Sequence, residues 1–400
     1  MAVNSMSFKQ SATLINDVLK QMTGEEAIAP VDEAEFVAVG TTLLQTGYDA
    51  LNTAVSQVLS RSIYSSRAYD PIYPSIERDS IQWGGIVRKV TTLDLEFMDD
   101  EGYNVADGND ISDCDPFLVN RQKAVQFNWY GGNTKELLVT VTEQQLKQAF
   151  SSSAEFGSFM AAQAQNLINQ INQKIEAESR IVVNNMIAAA ISEGGDRCVH
   201  LLTEYKAETG NNTITAANYL SAAEFEPFAK WMYGRLNTLK AFMAERTEKF
   251  HATITSYNGT PLTTGIKRHT PSEYLNIFML TDFMNQVDAS ALSGIYNQQI
   301  LSIGGFERVN YWQSIDSPDE INVKANILQT DGTCAASEEA IEGEGIVGIL
   351  FDDEALGITV INEDVRSIEN PRGRYFNNWY NWVCRYYNDQ TENFVVLMLD

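Results

Sequence analysis

Gly343-Glu344-Gly345-Ile346-Val347-Gly348 matches GxGxxG, a spacing that lets backbone amides cradle a dinucleotide pyrophosphate. That motif has to follow a strand and open a helix. Here an acidic stretch precedes it and the apolar run 346–351 reads as a strand, so the match carries no phosphate site. Asp99, Asp100, Glu101, Asp107, Asp110, Asp113 and Asp115 could offer oxygen ligands to calcium, but their spacing is not that of an EF-hand and a solvated acidic loop accounts for them better. Cys198 and His200 would share one face of a strand; with only His251 and His269 as further histidines and no nucleophile or zinc motif nearby, a structural role is favoured. Carboxylates are so common that no glycosidase-like pair stands out. The aromatic run 375–387 could stack bases, yet Arg372, Arg374 and Arg385 are its only cations, which favours a packed sheet. No catalytic, cofactor-binding or metal residue is assigned.

Charge narrows the function classes further. The 400 residues carry 53 acidic against 28 basic side chains, a formal charge of −25. Holding phosphates needs clustered Lys and Arg, so a surface devoted to nucleic acid is excluded; an acidic wall repels a polyanion within a Debye length of about 8 Å. A hydrophobic content of 44% belongs to a folded chain with a large core, enough for two or three domains. Cys114, Cys198, Cys334 and Cys384 are scattered without a CxxC and fit a reducing compartment. Neither a signal peptide nor a membrane span is expected, since no basic start leads into an apolar core and no run of about 18 apolar residues occurs.

The element that must position everything else is the stretch 153–193. Phe156, Met160, Ala164, Leu167, Ile171, Ile175, Val182 and Met186 recur mostly at helical steps, with Gln163, Asn166, Asn169, Gln173 and Glu176 between them. Ser151, Ser152 and Ser153 can cap its start, and Gly194-Gly195 lets it stop. At 1.5 Å per residue it runs roughly 60 Å, about twice what a small domain buries, so it must lie across a sheet or across several parts of a flat subunit.

Ahead of that rod, residues 1–80 read as an N-terminal arm with two helical faces, Thr13 to Met22 and then Phe36, Val39, Leu43, Leu44, Tyr48, Leu51, Val55 and Leu59. Residues 81–135 read as a long hairpin: strands at 83–90 and 93–97, an acidic tip, and a returning strand at 123–130. An arm with few apolar positions at its tip is poorly explained by packing within one subunit. A short strand at 137–141 precedes the rod. The region 201–345 holds one or two helices between Ala222 and Met243, strands at 274–280 and 309–312, a short helix at 282–292 and a turn-like acidic stretch at 331–344. Residues 346–400 return as a core strand at 346–351 and aromatic strands at 375–387 and 395–399, expected to share one sheet with the rod helix against it. The fold class is α+β.

Three local stretches carry a family resemblance: Tyr311-Trp312-Gln313; Leu350-Phe351-Asp352 with Glu354-Ala355-Leu356-Gly357-Ile358; and Asn388-Asp389-Gln390-Thr391-Glu392-Asn393-Phe394-Val395-Val396-Leu397. With the order of arm, hairpin, spine, central region and returning strands, the chain resembles the major capsid proteins of tailed bacteriophages, nearest to those of short-tailed gut and Firmicute-type phages. That fold is shared with encapsulins. The resemblance implies an extension loop at 81–135, a peripheral domain with spine helix at 136–200 and again at 346–400, and an axial domain at 201–345. It implies a non-enzymatic subunit that self-assembles through pentamers and hexamers into an icosahedral shell around double-stranded DNA, without sequence-specific binding, in the virion, after assembly in the host cytoplasm.

The implied partners are further copies of the chain, a scaffolding protein and a portal, with no cofactor and no membrane. The residues before the hairpin are too few for a built-in scaffolding segment, so a separate scaffold is implied. Candidate inter-subunit contacts are Phe36, Leu43, Tyr48, Trp83, Arg88, Lys89, Phe127 and Trp129; Tyr311, Trp312, Gly357, Trp379, Tyr380 and Asn393 mark the fold. Lys89 and Lys123 lie in the hairpin, but nothing marks either as a cross-linking residue. The alternatives are an encapsulin-like compartment shell and, from another class, a soluble carboxylate-dependent hydrolase.

Overall fold

The computed structural model describes residues 36, 38–39, 73–77, 87–95, 117, 121–130, 132–145, 153–221, 223–262, 264–290 and 306–400. In chain order its elements are β1 (Val87–Thr92), β2 (Ala124–Trp129), β3 (Gly132–Thr142), α1 (Ser153–Glu193), β4 (Cys198–His200), α2 (Leu201–Thr209), α3 (Phe225–Ala244), β5 (Ser256–Tyr257), β6 (Thr260–Pro261) and β7 (Leu275–Leu280). Then come α4 (Thr281–Ser290), β8 (Phe306–Val309), β9 (Ile321–Val323), β10 (Asn326–Leu328), β11 (Cys334–Ala336), β12 (Ile341–Gly343), β13 (Ile346–Asp352), β14 (Leu356–Asn370), β15 (Tyr375–Asn388) and β16 (Phe394–Met398).

β13 and β16 are apolar on both faces and buried along their whole length. Such strands need cover on two sides, and they sit inside a five-stranded sheet ordered β4-β16-β13-β7-β8. Pairing is antiparallel through β16, β13 and β7 and parallel at both edges. Phe278, Phe351 and Phe394 meet across the three central strands, with ring centroids 4.9 and 6.1 Å apart. Side chains of α2, α3 and α4, among them Leu202, Phe228, Met232 and Phe283, pack into the same core. The chain enters β13 at Gly345, whose φ is +67° and where a Cβ would lie 2.7 Å from the Leu399 carbonyl oxygen. A strand, and no helix, follows the GxGxxG run.

The second sheet has the order β14-β15-β3, antiparallel throughout. β15 alternates, with Phe376, Tyr380 and Trp382 buried and Asn377 and Trp379 on the opposite face. α1 has the bounds the spacing predicts. Its end is fixed by Gly194, at φ +67°, whose N–H donates to the Ala190 carbonyl at 2.8 Å. Val182, Val183, Met186, Ile187 and Ala188 to Ala190 are buried, whereas Ile181 is 59% exposed. The helix lies against β9, β10 and β12 and against strands of both larger sheets.

Several sequence readings are corrected. The final strands divide: β15 joins the three-stranded sheet and β16 the five-stranded one, and α1 touches both. β8 stops at Val309, because the Trp312 N–H bonds to the Pro318 carbonyl (3.0 Å) and takes Tyr311 and Trp312 out of the ladder. The short strand at 137–141 extends to Gly132–Thr142, since β15 is long enough to pair all of it. The stretch 331–344 holds β11 and β12, which pair with β10 and β9. α2 and the 15-residue β14 were not anticipated. The hairpin is present, with β1 and β2 in register from Val87↔Trp129 to Thr92↔Ala124. Its acidic tip at 99–115 lies outside the described residues, as do both helical faces of the arm apart from Phe36, Ala38 and Val39, which are helical.

Candidate functional site

Residues 389–393, Asp-Gln-Thr-Glu-Asn, are five polar side chains in succession, and all five are buried. Polar groups survive burial only when hydrogen-bonded, and this turn is where the parts of the molecule are tied together. Asp389 folds the turn locally: its Oδ1 accepts from the Thr391 N–H (3.0 Å) and hydroxyl (2.6 Å). Gln390 holds β10, accepting from the Leu328 N–H (2.8 Å) and donating to the Asn326 carbonyl (2.6 Å), while its own carbonyl accepts from the Ala252 N–H (2.8 Å). The Asn393 amide donates to the Thr270 hydroxyl (3.0 Å), which donates to Asp352 Oδ2 (2.7 Å).

The hairpin root docks on this turn. Cross-strand pairing puts Val87 with Trp129, Lys89 with Phe127 and Thr91 with Val125 on one face, and Arg88, Val90, Thr92, Ala124, Gln126 and Asn128 on the other. The first face turns inward. Val125 and the following Leu93 form a small core with Ile254 and Ile266, with Phe127, Tyr257, Leu262 and Leu328 packed around it. The Tyr257 hydroxyl donates to the Gln126 carbonyl (2.7 Å), the Trp129 indole N–H to the Asn388 carbonyl (3.0 Å), and Arg246 pairs with Asp94 (2.7 Å). Lys89 enters a knot of charge: its ammonium meets Glu354 (2.9 Å), Asp389 (3.1 Å) and Glu392. Arg268 closes the knot, pairing with Glu392 at 3.0 Å and donating to the Thr391 carbonyl (3.0 Å) and the Thr91 hydroxyl (3.0 Å).

Burial opposes the charge on Lys89, but Asp389 and Glu392 outweigh it and hold the ammonium above the ordinary lysine range. Burial pushes the Glu392 carboxyl up to about 7, against the pull of Arg268 and Lys89.

A second anchor, on α1, is built differently. The Arg180 guanidinium lies 3.7 Å from the centroid of the Tyr311 ring and donates to the Tyr311 carbonyl, to the Tyr73 hydroxyl (3.3 Å) and to Glu176 (2.6 Å). One turn on, the Asn184 amide donates to the Trp312 carbonyl (3.0 Å). Trp312 is fully buried, its indole N–H bonded to the Ile346 carbonyl at 2.8 Å. One arginine thus joins Tyr73, α1 and the segment that leaves β8.

Of the eight contact candidates, Leu43, Tyr48 and Trp83 lie outside the described residues. Phe36 is fully buried, Lys89, Phe127 and Trp129 face their own chain, and Arg88 is exposed on the outward face of the hairpin root. Among the fold markers, Tyr311, Trp312 and Asn393 serve the two anchors. Tyr380 and Trp379 alternate along β15. Gly357 pairs with Tyr387, where a Cβ would come within 2.2 Å of the ring. Arg180, Asn184, Arg268, Glu354 and the carboxylates of the turn were missed as site residues. The available signal was an unbroken polar run, 388–393, set between two strongly apolar strands. Among the described residues no group of three or more His, Cys, Asp or Glu could hold a metal ion, and no helix is long and apolar enough to cross a membrane.

This architecture is that of a tailed-phage capsid subunit. The capsid structure of Staphylococcus phage Andhra matches with a TM-score of 0.50 at 10% identity, covering 81% of this chain and 83% of that one. A structure of the head fiber and inner core protein of native bacteriophage P68 matches at 0.49 and 8% identity, over 84% and 87%. The chain belongs to the Phi29-like phage major capsid protein family, whose model matches residues 13–398. A search of curated proteins finds no match. The protein is therefore a major capsid protein, structural in role, that self-assembles into a shell and resides in the virion; the compartment and hydrolase alternatives are not favoured.

Proposed function

We propose that the subunit forms pentamers and hexamers that tile an icosahedral shell around double-stranded DNA, assembled in the host cytoplasm with a separate scaffolding protein and a portal. The observation that carries this reading is the two-faced hairpin root, which seats one face on its own chain and turns Arg88, Val90 and Thr92 outward, with Val90 58% exposed. Contacts between unlike faces close into rings, and such rings tile a closed surface. The charge of −25 suits a wall that faces packed DNA without adsorbing it.

The test is co-expression with candidate scaffolding proteins, followed by light scattering and negative-stain microscopy. Closed shells that form only with scaffold support both halves of the proposal. A 44.6 kDa monomer under every condition contradicts it.

A further inference from the structure

Among the described residues, the knot at the hairpin root brings three carboxylates against two cations. Lys89 and Arg268 face Glu354, Asp389 and Glu392. Glu354 is 70% exposed, and Asp389 is fixed by the turn it makes with Thr391. Glu392 alone touches both cations while its carboxyl is buried. It therefore sets the balance of the cluster. We propose that the hairpin root is a proton-gated latch, in which the charge of Glu392, the buried carboxyl that touches both Lys89 and Arg268, decides how firmly the root is seated.

The sign follows from burial. Seating the root covers Glu392 and favours its neutral form, so the seated state binds a proton that the unseated state, with a hydrated carboxyl, releases in the same range. The seated root is then firmest below the ordinary glutamate range. It loosens as pH rises from about 5 to about 7 and changes little above that, each opening releasing up to one proton.

The other ionisable groups facing the cluster do not reproduce this. Burial depresses His251, behind Arg268, which favours the seated state as pH rises, the opposite sign to Glu392, and the Cys334 thiol near Asp389 is shifted upward, away from the range. Arg246 and Asp94 pair at the base of the hairpin, away from Glu392. The apolar part of the seat is small, Leu93 and Val125 on Ile254 and Ile266, so the charges weigh heavily in its stability.

Hydrogen exchange of the full chain, read by mass spectrometry between pH 5 and 8, tests the latch by comparing wild type with Glu392→Gln at each pH, so that intrinsic exchange chemistry cancels. The ratio of exchange rates in peptides covering β1 and β2 is expected to rise by up to about tenfold per pH unit below about 7 and then level off. Peptides of β13 and β16 should show no such change. A flat ratio in the hairpin, or an equal rise in the core strands, overturns the proposal. Lys89→Met gives an independent reading: loss of the cation raises the Glu392 carboxyl further, so the opening profile moves to higher pH, and an unmoved midpoint also overturns it.

Discussion

The α1 anchor and the hairpin-root anchor both tie together parts of the chain far apart in sequence, but they use different physics. At the spine, Trp312 is wholly enclosed in the large core, and its indole N–H, backbone N–H and carbonyl each have a hydrogen-bond partner. The one cation, Arg180, has an aromatic ring, two oxygens and one carboxylate around it. At the hairpin root a small apolar patch is supplemented by five charged side chains, one of which changes charge near neutral pH. The first arrangement fixes a rigid body. The second holds β1 and β2 against their own chain through one face and leaves the other, with Arg88 and Val90, exposed.

Breaking the comparison on its rigid side should have the largest effect. Trp312→Ala removes a fully enclosed ring and strands the Ile346 carbonyl, so denaturant unfolding should show a loss of about 3–5 kcal/mol with the whole chain unfolding earlier. Gly357→Ala forces the Tyr387 ring aside and is expected to cost about 1–3 kcal/mol in the same assay. On the adjustable side, Lys89→Met leaves two buried carboxylates short of a cation; with the partial exposure of Lys89, a loss of about 2 kcal/mol is expected, with proteolysis accelerating first at the hairpin. Smallest in stability, and most telling, is Arg88→Glu on the outward face. Unfolding of the isolated chain should move by no more than about 0.5 kcal/mol, while the yield of sedimenting particles falls. A stability loss matching that of Lys89→Met would erase the distinction between the two faces.

Much of this was legible in the sequence. The apolar stripe and the Gly194-Gly195 stop fixed α1 to the residue, because helix periodicity and a positive-φ terminus are local signals. The returning hairpin strand and the buried β13 were readable for the same reason, as a two-residue alternation and an unbroken apolar run; the outgoing side, expected as strands at 83–90 and 93–97, is instead, among the described residues, the single strand β1 (Val87–Thr92), with residues 93–95 outside it. Tertiary bonding hid the rest. The partners of Asp389 to Asn393, from Lys89 to Asp352, come from distant parts of the chain, so the polar run between apolar strands could mark the turn as unusual but not say what buries it. Lys89, Phe127 and Trp129 were expected as inter-subunit contacts and face their own chain here; which face each takes depended on the β1–β2 register. β14 was missed because Asn362, Glu363 and Asp364 interrupt its apolar alternation, at a register shift between Ile361 and Asp364.

Cryo-electron microscopy of assembled particles tests the central claim most directly, by resolving both faces of the hairpin root in the shell. The account predicts a neighbouring subunit against Arg88 and Val90, with Lys89 still paired to Asp389 and Glu392 of its own chain. An outward face open to solvent in every subunit, or Lys89 paired only across a subunit boundary, would contradict it.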